Sequence, residues 1–270
     1  MISKKTTWLD KQSKSDRPGE QTDREALVYF GYQKIPREEK VQQTCLHFET
    51  VARRYDFMNT LLSFGIHYLW KRAAIRMMEL QPGDRVLDVC GGTGDLSILA
   101  HRSVGPAGQV VLYDINRAMI QAGKTKPTHS SVRSRIRYVQ GNAEALSFPD
   151  SYFDAAMVGF GIRNVTRMEK GFGEMHRVLR PGGKLMCLEF SKPTAPLFRF
   201  LYDFYSFKIM PFLGELLAGS RKAYTLLPES IRTFPMPDEL ADMLKRIGFS
   251  RVVYRRLTNG IAVVHLGKKQ

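Results

Sequence analysis

The sequence predicts a Rossmann-like, doubly wound α/β fold: a sheet of seven strands with the last strand antiparallel, a helical N-terminal segment and a helical insertion. Three observations predict it. Apolar runs of strand length alternate with helix-period segments from residue 84 onward. Three glycines follow the first of those runs directly, in "LDVCGGTGDLS". An Asn-Gly pair, a hairpin signal, separates the last two runs.

Residues 1–30 are polar and without sustained period, and are expected to be a disordered or loosely ordered extension. Residues 31–270 are expected to form one domain, with a helical insertion at about 194–235. From Tyr32 to Met78 the pattern is mostly helical. "DRVLDVC" then reads as a buried strand and "GDLSILAHR" as the helix behind it. "GQVVLYDIN", "IRYVQGNA", "FDAAMVGFG" and "KLMCLEFSKP" read as four more strands. The helix "NRAMIQAGKTK" follows the first of these. Another precedes the last, with Met168, Phe172, Met175 and Leu179 on one face. Pro181-Gly182-Gly183 is expected to end that helix. Asp238 opens a helix with Leu240, Met243, Leu244 and Ile247 on one side, and Gly248 sits where a C′ glycine belongs. "SRVVYRRLT" and "GIAVVHLGK" close the chain as a hairpin.

Composition excludes several classes. Apolar residues make up 43% and charged residues 25%, ordinary values for a globular protein. No apolar run reaches the ~18 residues of a membrane span, and the start lacks a signal-peptide core, so a cytoplasmic location is expected. Cys45, Cys90 and Cys187 have no CxxC spacing and read as reduced thiols. The histidines lack metal-ligand spacing, so no metal site is expected. The net charge of +15 suits an anionic partner. It does not come from a tail: residues 1–40 hold nine basic and seven acidic groups, whereas residues 245–270 hold seven basic and no acidic ones.

In a doubly wound sheet the ligand sits beyond the carboxyl ends of the strands. Gly91, Gly92 and Gly94 lie there, at the first strand-to-helix turn. Asp95 at the helix start would repel a pyrophosphate, which disfavours a dinucleotide. Asp114, ending the next strand, can accept both hydroxyls of a ribose, and Asn142 with Ala143 can read an adenine edge. A ribose site, an adenine site and no phosphate grip point to S-adenosyl-L-methionine as cofactor.

The strings "VARRYDFMNTLLSFGIHYLWKR", "DVCGGTGDLS", "GNAEALSFPDSYFD", "FGIRNV", "RVLRPGGKLMCLEFSKP" and "ESIRTFP" carry a resemblance. From about Phe30 to its end the chain resembles the ubiquinone/menaquinone biosynthesis C-methyltransferase family, a group of class I S-adenosyl-L-methionine-dependent methyltransferases. The resemblance implies methylation of a ring carbon of a polyprenyl quinol, demethylmenaquinol or 2-methoxy-6-polyprenyl-1,4-benzoquinol. It implies cofactor contacts at Thr93, Asp114, Asn142 and Ala143, and action of Arg163, Asn164 and Tyr55 on the substrate hydroxyl. Two departures from the family pattern stand out: Gly159 replaces a common serine, and Pro228 predicts a broken helix.

Carbon methylation needs an electron-rich ring, which loss of a phenolic proton supplies. An arginine stays protonated, so Arg163 is expected to hold the phenolate while a water set by Tyr55 and Asn164 carries the proton away. His67 is expected to have a structural or surface role rather than a catalytic one. Seven aromatics between Phe198 and Phe212 suggest either core packing or a wall for a polyprenyl tail that touches an anionic membrane. The rival readings are a methyltransferase acting on RNA or on another small molecule. "GFGIRN" lacks the Asp/Asn-Pro-Pro-aromatic pattern suited to base methylation, so no nucleic-acid partner is expected; a homodimer is left open.

Overall fold

The computed structural model describes residues 26–126 and 135–270. It opens on a short hairpin, β1 (Leu27–Phe30) against β2 (Gln33–Pro36). Leu27–Phe30 fall in the expected loose extension and Gln33–Pro36 in the expected helical segment; both are strand. Four residues are too few for a period to show, and the hairpin is fixed by tertiary contacts: Phe30 and Ile35 are buried, and the Tyr32 N–H donates to Glu229 at 3.3 Å. Residues 1–25 of the expected extension lie outside the described residues.

Three helices follow, α1 (Arg37–Val51), α2 (Tyr55–Leu62) and α3 (Ile66–Met78). The alternating part then runs β3 (Arg85–Val89), α4 (Asp95–Val104), β4 (Gln109–Asp114), α5 (Arg117–Thr125), β5 (Ile136–Gln140), β6 (Phe153–Gly159), α6 (Met168–Val178) and β7 (Leu179–Phe190). The insertion forms α7 (Pro196–Phe204), a π-helical turn, α8 (Met210–Ala218) and α9 (Arg221–Thr233). The chain closes with α10 (Pro237–Ile247), β8 (Phe249–Leu257) and β9 (Ala262–Lys269).

The seven-stranded sheet has the order β5-β4-β3-β6-β7-β9-β8, parallel from β5 to β7, with β9 antiparallel to both neighbours. Strand alternation splits the core. Val86, Leu112 and Met157 pack under Trp70 and Ala74 of α3 and Ile98 of α4. On the other face Leu87, Val111 and Val158 meet Phe172 of α6 and Leu240 of α10. A satellite core of Val51, Met58, Leu62, Met210 and Tyr224 joins α1 and α2 to the insertion. The order reverses between β3 and β6, so a crevice opens at their carboxyl ends.

Two expectations of local structure fail. The helix before β7 stops at Val178, and Pro181–Gly183 instead sit in a bulge of β7, where the pairing slips between Phe153 and Ala155. Pro228 does not break its helix: α9 runs through it with the proline ring buried, so packing outweighs the missing N–H. At the closing hairpin Asn259 and Gly260 both take positive φ. The Asn259 side-chain oxygen accepts from the Thr194 and Ala195 N–H groups at 3.0 Å each, which pins the start of the insertion to the sheet.

Helix α5 touches the glycine turn without clearance. A Cβ on Gly123 would stand 2.6 Å from the Thr93 carbonyl oxygen. Gly123→Ala should therefore destabilise the fold by about 1–3 kcal/mol, the usual cost of overpacking, despite alanine's better helix propensity. Urea unfolding checks this; an unchanged or raised midpoint would show that the turn can give way.

Candidate active site

The turn after β3 is built from residues in left-handed conformation: Cys90, Gly92 and Gly94 have φ of 54°, 54° and 87°. Close approach excludes side chains as well, since a Cβ on Gly91 would lie 2.6 Å from Leu112. The turn leaves N–H groups pointing at a carboxylate. Gly92 N–H donates to Asp114 Oδ2 at 2.8 Å, and Asn116 N–H donates to Oδ1 at 2.7 Å. Each oxygen keeps a lone pair, which is what a ribose diol needs. Burial pushes the Asp114 carboxyl up to about 6, with the two N–H bonds opposing.

Gly91, Gly92, Thr93, Asp114, Asn142 and Ala143 all line one cavity of about 460 Å³. Gly94 does not; it starts α4 from behind the turn. The Thr93 hydroxyl is committed elsewhere, donating to Asp56 at 2.8 Å and accepting from Lys126 at 2.9 Å. Asn142 spends its side-chain oxygen on the Glu144 N–H at 2.9 Å.

Asp95 does not present the bare charge expected of it. Lys71 and Lys126 bind its two oxygens at 2.7 and 2.8 Å, and against the effect of burial they hold its carboxyl well below the usual range. Lys126 also reaches Asp56 at 2.8 Å, so two acids and two lysines close a balanced cluster beside the turn. The repulsion argument against a pyrophosphate thus loses its charge. Asp88 replaces it. Burial pushes this carboxyl up to about 7, against a 2.6 Å hydrogen bond from the Ser97 hydroxyl. An acid inside the apolar run "DRVLDVC" is the sequence signal for it. Asp88 and Asp114 favour a cationic ligand over an anionic one.

Arg163, Asn164 and Tyr55 line the same cavity, but Arg163 is no lone cation. Phe160 turns the chain after β6 with φ of 56°, and Ile162–Asn164 form a single 3₁₀ turn. This lays the Arg163 guanidinium on Glu189 at 2.8 Å and on the Phe160 carbonyl, with both side chains almost fully buried. Burial raises the Glu189 carboxyl while Arg163 pulls it back down. Sequence reasoning missed Glu189, although an acid in "LMCLEF" shares the signal of Asp88. The third lapse is His47 of α1, which lines the cavity near Arg163. His67 also lines the cavity, buried with its Nδ1 2.7 Å from the Ser63 hydroxyl. A Cβ on Gly159 would meet the end of the Leu96 side chain at 2.3 Å, so a serine there would require that leucine to turn aside. The three cysteines are free, and among the described residues no group could hold a metal ion.

Four buried polar atoms on this cavity lack a partner among the described residues: Thr44 Oγ1, Asp88 Oδ1, Arg163 Nε and Asn164 Nδ2. Orphans of this kind mark a ligand site. Those near the turn fit the hydroxyls and cationic tail of S-adenosyl-L-methionine, and those near β6 fit an oxygen of a second ligand. Fold and site together define an S-adenosyl-L-methionine-dependent methyltransferase.

Comparison with known proteins refines this. The chain belongs to the ubiE/COQ5 methyltransferase family, which it matches over residues 34–269. It is 46% identical over 252 residues to the ubiquinone/menaquinone biosynthesis C-methyltransferase UbiE of Stutzerimonas stutzeri, covering 93% of this chain and 98% of that one. The enzyme of the same description from Francisella tularensis subsp. novicida is 47% identical over 240 residues, covering 89% and 96%. Solved structures share the fold at low identity. A SAM-dependent methyltransferase from Thermotoga maritima gives a TM-score of 0.59 at 19% identity, covering 84% of this chain and 99% of that chain. The [4+2]-cyclase SpnF gives 0.61 at 16%, covering 84% and 96%.

Asp114→Ala should weaken S-adenosyl-L-methionine binding by about 1.5–3 kcal/mol, as for a hydrogen bond to a charged group. Wild-type affinity should also fall as pH drops through about 6, because the protonated carboxyl is the poorer acceptor. The stability contribution has the opposite sign. A carboxyl raised in the folded state stabilises it below the unfolded pKa and loses that stability as pH rises through about 6. Calorimetric titration across this window, with unfolding followed in parallel, separates the two. A pH-independent affinity would remove Asp114 from the ribose site.

Proposed function

We propose that the protein methylates a ring carbon of a polyprenyl quinol, demethylmenaquinol or 2-methoxy-6-polyprenyl-1,4-benzoquinol, in menaquinone or ubiquinone biosynthesis. The observation that carries this reading is the shape of the cavity. It runs from the glycine turn, past Arg163, Asn164 and Tyr55, to an aromatic wall of Phe198, Tyr202 and Tyr205 from the insertion. The curated relatives named for this activity support it.

When bound, S-adenosyl-L-methionine supplies an electrophilic methyl group. The turn, Asp88 and Asp114 would hold it. Arg163 and Asn164 would hold the quinol hydroxyl through N–H donors, Arg163 Nε and Asn164 Nδ2 being those without partners. Because Glu189 balances the Arg163 charge, the gain comes from aimed donors in a dry site more than from net charge. Fixing the ring against the methyl group is the other contribution of the walls.

Cells lacking this protein should accumulate quinones one methyl short, read by mass analysis; a normal quinone pool would refute the assignment. Within the site, Arg163→Ala would leave Glu189 buried and unpaired, at about 3–5 kcal/mol. The cleaner variant is therefore Arg163→Ala with Glu189→Gln. It should bind cofactor normally and lose quinol turnover by about 10²–10³-fold, the cost of an oxyanion donor. Arg163→Lys, which keeps charge but not the fork, should fall between. Normal turnover in the double variant would end the assigned role.

We also propose a cytoplasmic enzyme that docks on the inner face of the membrane. Among the described residues no helix is long and apolar enough to cross one. Helix α7 instead buries none of its residues: Leu197 is 74% and Phe200 70% exposed, and Phe64 at 79% lies beyond Tyr205 of the insertion. Core packing therefore does not account for Phe200 or Phe204. Basic residues near an anionic surface contribute roughly 1 kcal/mol each, fading beyond a Debye length. Vesicle flotation should show binding to anionic but little to neutral lipid, reduced by salt. Phe200→Ser with Phe204→Ser should lower the salt-resistant part; equal binding to neutral vesicles would refute the electrostatic component.

A further inference from the structure

Deprotonating the quinol hydroxyl requires an acceptor, and the cavity offers few. Arg163 is a permanent cation tied to Glu189. Asp88 and Asp114 belong to the cofactor end, Asp95 is locked between two lysines, and Glu144 pairs with Arg167 at 2.6 Å. His67 also lines the cavity, but its Nδ1 is tied to Ser63 and its ring lies beside the Lys71–Asp95 pair. The thiols of Cys45 and Cys90 are pushed up by burial, and the phenols of Tyr202 and Tyr224 likewise.

His47 remains. It stands on the cavity wall on α1, and no described residue hydrogen-bonds its ring nitrogens. Its ring meets Phe48 edge-on at 5.0 Å, and Phe48 meets Tyr55 edge-on at 6.1 Å, so it shares an aromatic corner with the residue at the start of α2. Arg163 is near enough to act on its charge. Resting on the quinol reading above, we propose that the His47 imidazole is the catalytic base, taking the hydroxyl proton of the substrate that Arg163 and Asn164 hold.

The substrate O–H bond breaks and its proton goes to an imidazole nitrogen. The freed pair becomes a C=O π bond, and the ring carbon uses its own π pair to bond the methyl carbon. The sulfur–methyl bond breaks with its pair on sulfur. The ring C–H proton then leaves to water, and the imidazolium returns its proton to the carbonyl oxygen, restoring the quinol. One proton reaches solvent per methyl transferred.

The environment suits such a base. Burial first, and then Arg163, lower the imidazole to about 4, so it stays unprotonated through the physiological range. The groups facing it are the Arg163–Glu189 pair from the sheet, Tyr55 from α2, and on its own helix Cys45, a thiol up to about 11. Beyond Arg163 lies Tyr202 of α7, also protonated. A base this weak works because the hydroxyl becomes strongly acidic as the methyl group arrives.

The test uses His47→Gln and His47→Ala in the full chain, with saturating cofactor and a short-chain demethylmenaquinol. Turnover should fall by about 10²–10⁴-fold, the usual worth of a general base. Cofactor affinity by calorimetry should stay within threefold of wild type. Free imidazole should rescue His47→Ala but not wild type, and the rescue should grow with pH as the added imidazole deprotonates through about 7. Imidazole ¹⁵N shifts of His47 should remain those of a neutral ring down to pH 5. Turnover within threefold of wild type, or a deep loss without imidazole rescue, overturns the proposal. Loss of cofactor binding in both variants also overturns it, by making His47 structural. If the wild-type protein methylates no quinol at all, it is the functional reading that fails.

Discussion

The turn from Cys90 to Gly94 is the constraint on which the rest of the site depends. Three of its five residues take left-handed φ, and the Gly91 N–H reaches back to the Tyr113 carbonyl at 3.2 Å. That geometry fixes β3 against β4, aims the Gly92 N–H at Asp114, and starts α4 with Asp95 at its first position. Its neighbours must be small. Gly123 lets α5 touch the Thr93 backbone, and Gly161 lets the chain after β6 pass Cys90, where a Cβ would stand 2.4 Å away. Arg163 follows two residues later, so the Ile162–Asn164 turn is placed by the same crowding that shapes the glycine turn.

Charge carries that placement to the other side of the cavity. Thr93 and Asp95 leave the turn bonded to Lys126, Lys71 and Asp56. Asp56 is the neighbour of Tyr55 on α2, a helix of eight residues with no side-chain cap. A helix so short has little stability of its own. It is held by Met58 and Leu62 in the satellite core and by this cluster. Tyr55 therefore stands where the cofactor turn and the insertion both put it. Partly buried ion pairs are poor stabilisers in themselves, since desolvation offsets their attraction. Here they tie α2, which otherwise belongs to the satellite core, to the glycine turn, α4 and the end of α5.

The parallel strands, the cavity end of the sheet and its antiparallel member were legible in the sequence because buried strands and amphipathic helices write their periods plainly. The opening hairpin was not, for its strands hold only four residues each and depend on α9. Pro181–Gly183 misled because proline and glycine end a helix and bulge a strand equally well. Among site residues, the glycines and Asp114 followed from spacing alone, whereas Arg163, Asn164 and Tyr55 needed the family resemblance. Glu189 escaped because its meaning lies in a partner 26 positions away. His47 escaped because α1 mixes polar and apolar residues on both faces. The Asp95 argument failed for the same reason as Glu189: a sequence shows a charge but not what neutralises it.

Burial moves the titratable groups of the cavity in one direction, toward neutrality. Asp88 and Asp114 rise, His47 and His67 fall, and the thiols and phenols rise. Outside the Lys71–Asp95 and Arg163–Glu189 pairs the cavity alone is thus poor in charge, which suits an apolar quinol tail but not a sulfonium or an ammonium group. A cationic cofactor reverses the balance locally, because an opposite charge nearby favours the ionised carboxylate. Binding the cofactor near neutral pH is then linked to loss of protons from Asp88 and Asp114, and by reciprocity those carboxylates bind it more tightly once ionised. The reaction undoes this. When the methyl group leaves, sulfur becomes neutral, and part of the attraction that held the carboxylates ionised disappears. On the proposed reading, the two acids that would draw the charged cofactor in would loosen their hold on the uncharged product, and discrimination between them would follow from burial and Coulomb's law without any movement of the fold.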